Sequence, residues 1–311
     1  MLLRVCSFNV RRFRDPATKG VCTAEKISLT LARLNPVPAI VCLNEVDIRN
    51  SPDALERIAG VLGRQFMSGR PYRIDFFGHV KNRFGNAILS RPDIRVLGKH
   101  EAHLPGGTQI TIPSGEKRLS GEISSGPQKY RIIRGMLEVI IEVPLKNRDN
   151  ETIFQQFSVL CTHLDHMKES ERSTQLAHIT ATAGTGEDGG LLLGDFNALK
   201  RSDYSDPEWQ RIVDKHSRNS WSAPESGCLK QLEECATNSW VDVFEAHHGD
   251  LSALNPENKF TAHVAEPMYR IDYCFANDRF LQKFDIHAAY LLKSCKHSDH
   301  FPVMVDFRPK L

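Results

Sequence analysis

Short apolar runs alternate with amphipathic segments along most of the chain. Runs such as 2–10, 38–46 and 189–196 are dominated by apolar side chains and bounded by polar or Gly/Pro positions, which is typical of buried strands. Apolar residues that recur every three or four positions predict helices instead. This pattern predicts helices at 24–34, 51–66, 169–183 and 205–216, and strands at 2–10, 38–46, 72–80, 84–90, 94–100, 130–143, 154–164, 189–196, 269–276, 286–292 and 301–307.

Two stretches, 101–129 and 198–259, break this regular pattern. The first is rich in Gly, Ser, Pro and Lys, and the second is polar and contains all three tryptophans. Strands are predicted after each stretch, so we interpret both as irregular insertions into one domain that spans 1–311. The alternation of strands and helices indicates an α/β fold with many strands, in which two packed sheets are covered by helices.

Composition and cysteine usage narrow the class of protein. The chain has 311 residues, with 40 Lys and Arg against 38 Asp and Glu, and this near balance counts against a dedicated binder of long duplexes. Cys6, Cys42, Cys161 and Cys274 lie inside strand-like runs, as buried thiols in a reducing compartment do. No secretory signal or membrane-length apolar run is visible. We therefore expect an intracellular protein, cytoplasmic or nuclear, without membrane insertion.

Polar side chains collect at or next to the ends of the predicted strands, and one more, Asp272, lies inside the predicted strand 269–276. Each one alone has a structural explanation, such as an Asx turn, a helix cap or a solvated acid. Together they are acids, amides and imidazoles, a mixture that suits a hard cation with hydrogen-bond donors around a phosphoryl group. The set comprises Asn9, Glu45, His163, Asp195, Asn197, Asp272, Asp299 and His300.

Seven short motifs extend this pattern over nearly the whole chain. They are "SFNV", "LNEVD", "GNAILS", "THLDH", "GDFNA", "RIDY" and "SDH", in this order from Ser7 to His300. With them the chain resembles the endonuclease/exonuclease/phosphatase superfamily, the metal-dependent hydrolases related to DNase I. The resemblance implies a DNase I-like four-layer sandwich, in which two packed mixed β-sheets are flanked by helices.

The resemblance also implies a role for each matching residue. Glu45 is expected to be the principal ligand of Mg²⁺, for which Mn²⁺ can substitute, with Asn9 and Asp299 near the same ion. Asp195 and Asn197 are expected beside the attacking water and the scissile phosphate. His163 is expected to donate to a phosphoryl oxygen, and Asp272 to orient His300. Whether Asp195 or His300 is the base stays open.

Three further residues are candidates for substrate binding. Asn86 matches a family position near the phosphate, and the alternative is a turn-capping role. Arg134 can contact a substrate phosphate or be a solvated Arg at a strand edge. Trp221 lies in an irregular loop and is the best candidate to stack on a base or sugar. We also hypothesise that the 198–259 segment, with Lys200, Arg201 and Trp221, forms one wall of the substrate cleft.

The sequence thus predicts a Mg²⁺-dependent phosphoesterase that hydrolyses a phosphodiester by in-line attack of water. A nuclease or nucleotide phosphodiesterase is favoured, acting on a short or single-stranded nucleic acid. The alternatives are an inositol-phosphate or phosphoinositide phosphatase, a sphingomyelinase-like enzyme, or a catalytically silent binding protein. Arg11 occupies the position where family members that cut abasic DNA often carry an acid, which weakens that particular activity.

Overall fold

A computed structural model gives the three-dimensional structure of the chain and describes residues 2–18, 22–80, 83–112, 128–146, 150–182, 188–235 and 239–310. The strands in this part of the chain are β1 (Leu3–Asn9), β2 (Ile40–Asp47), β3 (Arg73–Val80), β4 (Phe84–Ser90), β5 (Arg95–His103), β6 (Gln109–Ile112), β7 (Gln128–Arg131), β8 (Gly135–Lys146), β9 (Thr152–His163), β10 (Gly190–Asp195), β11 (Trp240–Asp242), β12 (Asp272–Asn277), β13 (Phe284–Leu291) and β14 (Val303–Pro309). The α-helices are α1 (Ala24–Ala32), α2 (Ala54–Gly63), α3 (Glu169–Thr182), α4 (Asp206–Arg218), α5 (Lys230–Glu233), α6 (Val243–His248), α7 (Pro256–Lys259) and α8 (Asp278–Lys283), and short 3₁₀ turns lie at Arg11–Phe13, Arg201–Asp203 and Leu251–Ala253.

Two six-stranded sheets organise the fold. The strand order is β13-β14-β1-β2-β4-β3 in the first sheet and β11-β12-β10-β9-β8-β5 in the second, while β6 and β7 form a separate two-stranded sheet. Each large sheet is mixed, because β1 runs parallel to β2 and β9 runs parallel to β10, whereas the other neighbours are antiparallel.

Successive side chains of each central strand point to opposite faces of the sheet, so each sheet has an apolar core on both sides. In β2, Ile40 and Cys42 face the core between the two sheets, whereas Val41 and Leu43 face the core under α1 and α2. The second sheet is also buried on both faces. Leu191 and Leu193 of β10 belong to the central core, whereas Leu192 packs with α3 and α5. A strand with two apolar faces needs cover on both sides, which gives the predicted four-layer sandwich.

The two parallel pairs bring the candidate residues to one end of the molecule. Asn9 is paired with Asn44 at the ends of β1 and β2. His163 is paired with Asp195 at the ends of β9 and β10, and Asp195 is paired with Asp272 of β12. The carboxyl ends of neighbouring parallel strands share one sheet edge, so the site is a direct product of topology.

The predicted strand 130–143 is wrong as a single element. The apolar run is divided between β7 and β8, which lie in different sheets. Between them the backbone is paired elsewhere: the Ile132 amide donates to the Thr108 carbonyl, and the Leu104 amide donates to the Arg134 carbonyl. Periodicity alone does not reveal this break, because both halves are apolar.

The irregular stretches are more ordered than the sequence indicates. Residues 101–103 belong to β5 and residues 109–112 form β6, while positions 113–127 lie outside the described residues. The 198–259 segment contains helices α4 to α7 and also β11, which extends the second sheet. The thiols of Cys6, Cys42, Cys161 and Cys274 are buried as predicted. No helix among the described residues has the length and apolar character needed to cross a membrane.

Candidate active site

Asp195 is the residue around which the predicted site is assembled. It ends β10, is almost fully buried, and accepts a hydrogen bond of 2.9 Å from Asn9 Nδ2 at the end of β1. Its Oδ2 lies 3.6 Å from His163 Nε2 and 3.9 Å from His300 Nε2. The two sheets therefore supply an amide, a carboxylate and two imidazoles to one point.

Asp272 and His300 form a second unit next to Asp195. His300 Nδ1 lies 2.8 Å from Asp272 Oδ2, and both side chains are buried. Thr261 Oγ1 accepts a hydrogen bond of 3.2 Å from the Asp272 amide and fixes the start of β12. A carboxylate behind Nδ1 orients the ring, so that Nε2 faces the site.

Burial and mutual repulsion shift the ionisation of these groups. Burial, reinforced by the neighbouring Asp272, raises the pKa of Asp195 to about 7. Burial opposes protonation of His300, but the charge and hydrogen bond of Asp272 outweigh it and raise the pKa of His300 to about 10. Burial and the charge of Arg134 keep the pKa of His163 well below its usual value, so this ring is neutral.

Arg134 selects the tautomer of His163. Its Nη1 lies 3.4 Å from His163 Nδ1 and its Nη2 lies 2.9 Å from His166 Nδ1. A guanidinium only donates, so each of these ring nitrogens must accept, and the proton of His163 is on Nε2. Arg134 is itself buried. Its position favours holding His163 as a hydrogen-bond donor over direct contact with substrate, which stays a prediction.

Glu45 and Asp299 lie on the more open side of the site. Glu45 has a left-handed backbone with φ 54°, at the point where the register between β2 and β4 shifts. This irregularity turns its side chain out of the strand alternation, as β-bulges beside active sites do. Its Oε2 lies 4.0 Å from Arg12 Nε, and Asp299 Oδ2 lies 3.3 Å from Arg11 Nε.

Asn197 is held beside Asp195 by its own backbone. Its amide donates to Asp195 Oδ1 at 2.9 Å and its Nδ2 donates to the Leu164 carbonyl at 3.1 Å. The residue has φ 50°, a conformation that asparagine tolerates better than most residues. The turn after β10 thus places Asn197 at the site, as the sequence predicts.

Two buried amide side chains, Asn44 and Asn86, are hydrogen-bonded to each other next to Asp195. The sequence motifs identified only Asn86 as a candidate residue. Asn44 Oδ1 accepts from the Asp195 amide at 3.0 Å, while its Nδ2 donates to Asn86 Oδ1 at 3.0 Å and to the Thr162 carbonyl at 2.8 Å. Asn86 Nδ2 donates to the Gly135 carbonyl at 2.8 Å. Asn86 is fully buried, so its contacts favour clamping the two sheets over touching a phosphate. Asn44 was not among the predicted site residues.

The residues predicted for the cleft wall have other contacts. Lys200 Nζ forms ion pairs with Glu233 and Glu245, and Arg201 pairs with Asp206 and stacks over the Trp209 ring. Trp221 is 55% exposed and contacts the ring of His216 just after α4. None of these contacts joins the Asp195 group, so the wall hypothesis stays a prediction.

Two sets of side chains fit a cation on chemical grounds. Asp195, Asp272 and His300 offer ligand atoms within 4.8 Å of one another, although His300 Nδ1 is already hydrogen-bonded to Asp272. Glu45 and Asp299 are accessible hard oxygen ligands, balanced here by arginines, with the Asn9 amide beside Asp195. The second set fits better, because its carboxylates are partly exposed and accept no hydrogen bond from an imidazole among the described residues, although His263 Nδ1 lies 3.9 Å from Asp299 Oδ2.

Comparisons with known proteins agree with this geometry. A sequence model of the "Endonuclease/Exonuclease/phosphatase family" matches residues 6–300. No curated protein sequence matches the chain. Among solved structures, an endonuclease/exonuclease/phosphatase from Bacteroides vulgatus is 15% identical with a TM-score of 0.63, covering all of both chains. The human Nocturnin catalytic domain with bound sulfate is 16% identical with a TM-score of 0.58, covering 99% of this chain and 95% of that one.

A further structural neighbour is the D. rerio TDP2 in complex with a single-strand DNA product. It is 15% identical, has a TM-score of 0.55 and covers 99% of each chain. At this level of identity the structural similarity shows the fold alone, whereas the sequence model spans most of the chain. Family members are hydrolases that act on phosphoester bonds. The chain therefore belongs to the endonuclease/exonuclease/phosphatase family.

Proposed function

We propose that this protein is a divalent-metal-dependent phosphodiesterase that acts on a nucleic acid or nucleotide. The observation that carries the proposal is the convergence of the Asn9 amide, His163 and His300 on Asp195. Donors fixed around one carboxylate stabilise a phosphoryl group that gains negative charge, without reorganising during the reaction.

The hydrogen bonds of His163, His300 and Asp195 indicate a different proposed role for each side chain. His163 carries its proton on Nε2 and, at 3.6 Å, is too far from Asp195 for a hydrogen bond, so this proton is available to a phosphoryl oxygen. His300 is oriented by Asp272 and presents Nε2 to the same space. Asp195 Oδ2, held by Asn9, is the acceptor best placed to receive a proton from water, with Asn197 beside it.

A Mg²⁺ or Mn²⁺ ion would be held by the carboxylates of Glu45 and Asp299 together with Asn9. Bound there, it would act as a Lewis acid on the phosphoryl oxygens and offset the repulsion between the crowded carboxylates. The arginines that face these carboxylates support the proposal, because they indicate a local preference for positive charge.

Two classes of substrate, nucleic acids and inositol phosphates, are compatible with this site. Short or single-stranded nucleic acid is favoured by the near-neutral charge of the chain, and the similar TDP2 fold has been captured with single-strand DNA. Inositol phosphates are the second candidate, because the same site chemistry serves them. Trp221, exposed after α4, is the proposed stacking residue for a base.

The proposal is tested by removing the metal and its principal ligand. We expect hydrolysis of bis-p-nitrophenyl phosphate to stop with chelator and to return with Mg²⁺ or Mn²⁺, and Glu45→Gln to lower kcat by about 100-fold or more. Glu142→Gln is the matched control, because Glu142 only pairs with the exposed Arg95. Full turnover in excess chelator would refute metal dependence, and no turnover with either metal would favour the silent binding protein.

A further inference from the structure

A strained turn with two consecutive arginines lies at the mouth of the site. Arg11, Arg12 and Phe13 have φ values of 45°, 58° and 56°, although none is a glycine. The turn begins directly after β1, where the Arg11 amide donates to Asn9 Oδ1 at 2.9 Å. It is anchored at its other end by Phe13, whose side chain is fully buried. Three left-handed residues in succession cost free energy, so the surrounding structure must impose them.

The turn directs both guanidinium groups to the candidate metal ligands. Arg11 faces Asp299 and Arg12 faces Glu45, and Arg12 also lies 5.4 Å above the centre of the Phe84 ring. The side chains are 37% and 26% exposed. Within the described part of the chain, no hydrogen bond engages the terminal nitrogens of either guanidinium. Both therefore keep donors free toward solvent at the site.

Burial of Phe13 stabilises one end of the turn, but the ion pairs of Arg11 and Arg12 do not account for the positions of their guanidinium groups. Ion pairs at 3.3 Å and 4.0 Å between partly exposed side chains contribute little, whereas the left-handed turn is unfavourable. Strain that is retained beside a cluster of functional groups points to a role in binding. Arginine, with its planar fork of donors, matches phosphate oxygens better than lysine does.

We propose that Arg11 and Arg12 form a second phosphate subsite, which binds a phosphate group adjacent to the scissile one. This inference rests on the proposed function, because it names the substrate as a phosphoester that carries two phosphates. Arg134 does not compete for this role, since it is buried against His163 and His166 on another side of the site. A cation held by Glu45 and Asp299 would replace the two guanidinium groups as the partner of these carboxylates and leave both groups available to the substrate.

The test compares ligands that differ by one phosphate. The pairs are the dinucleotides TpT and pTpT, and inositol 1-phosphate and inositol 1,4-bisphosphate, so that the two substrate classes are distinguished. Binding is measured by calorimetry with saturating Mg²⁺ in an Asp195→Asn background, where turnover does not interfere. We expect the second phosphate to tighten binding about tenfold in one pair, and the double variant Arg11→Gln, Arg12→Gln to abolish that gain.

The control is the double variant Arg57→Gln, Arg73→Gln, which removes the same charge from two arginines that are 57% and 51% exposed. It should keep the full gain from the second phosphate. Equal binding within both pairs, or a gain that survives loss of Arg11 and Arg12, overturns the proposal. The arginines could instead serve only to neutralise the carboxylates of Glu45 and Asp299. In that case the double variant Arg11→Gln, Arg12→Gln will change the affinity for Mg²⁺ but keep the tighter binding from the second phosphate, and this result also overturns the proposal. Because binding is read without turnover, this result is independent of whether bis-p-nitrophenyl phosphate is hydrolysed.

Discussion

Asn44 shows how one buried side chain links the two sheets at the site. It lies in β2 of the first sheet, yet it accepts from Asp195 and donates to Thr162, both in the second sheet. All of these groups are buried, so a partner lost here cannot be replaced by bulk water. If Asp195 acts as proposed, Asn44 is a positioning residue that affects the reaction through Asp195.

We expect Asn44→Ala to reduce both stability and turnover. The substitution leaves the Asp195 amide and Asn86 Oδ1 without their partner, which costs about 1–3 kcal/mol for each unsatisfied group. Urea unfolding measures this loss, and kcat against KM separates it from binding. Asn258→Ala, at an exposed site, is the control. An unchanged kcat in a folded Asn44→Ala protein would show that Asp195 is positioned without Asn44.

The motifs identified most of the side chains that the structure brings together around Asp195, because many of them occur at or next to strand ends; their roles stay predictions. Asn9, His163 and Asp195 were identified at the ends of predicted strands, whereas Asp272 was expected inside the strand 269–276 and instead begins β12. Asn44 was missed because its partners lie 118 and 151 positions away, and local sequence carries no sign of such pairing. The same limit applies to Asn86 and Arg134, whose depth in the molecule changes what they can contact.

At the scale of elements, a buried ion triad fixes the 198–259 segment to the second sheet. Arg270 is fully buried and donates to Asp203 at 2.9 Å and to Asp242 at 2.7 Å. Asp203 belongs to the turn before α4, and Asp242 ends β11 and caps α6. Arg270 is two residues before Asp272, so the triad also determines where β12 begins.

We expect Arg270→Met to be strongly destabilising. Methionine fills much of the volume but leaves two buried carboxylates unpaired, and breaking a buried pair in this way costs about 3–5 kcal/mol. Arg95→Met is the matched control, because Arg95 is exposed and its pair with Glu142 contributes about 0–1 kcal/mol. Chemical denaturation of both variants measures the difference. Similar losses in the two proteins would mean that the triad adds no stability to the segment.

The elements themselves were predictable where their periodicity was long. The strands around the central core and the helices α1 to α4 follow the apolar pattern closely. The short strand β11 was not predicted, because three residues give no period, and its pairing with β12 is decided by tertiary contacts. Tertiary contacts also decide the division of the predicted strand 130–143 into β7 and β8.

At the scale of the whole molecule, His79 lies where the two sheets meet. A Cβ at Gly135 of β8 would lie 2.6 Å from Phe77 Cε1 and 3.2 Å from His79 Nδ1, so a larger residue there would force the Phe77 ring to shift. Neither ring nitrogen of His79 has a hydrogen-bond partner among the described residues. Burial, with the charges of Arg134 and His103 added, lowers the pKa of His79 to about 3.

This shift makes the fold sensitive to acid. Below pH 6.5 an unfolded chain protonates His79 and the folded protein does not, so stability falls as pH drops from about 6.5 toward 3, by up to about 1.4 kcal/mol per pH unit. We expect His79→Gln to flatten the dependence of the unfolding free energy on pH over this range. His287→Gln, at an exposed position, should leave the dependence unchanged. An identical slope in His79→Gln and wild type would contradict the assignment.

The antiparallel pairing of β1 with β14 has a consequence for biosynthesis. Arg4 and Asp306, joined by a salt bridge of 2.6 Å, are separated by 302 positions. During translation β1 is synthesised before the other described strands, and β14, its neighbour in the sheet, is synthesised after them. The first sheet therefore cannot close on the ribosome until β14 has left the exit tunnel. Asp299 and His300 come just before β14, so the nascent chain obtains these two candidate site residues together with the strand that completes the first sheet.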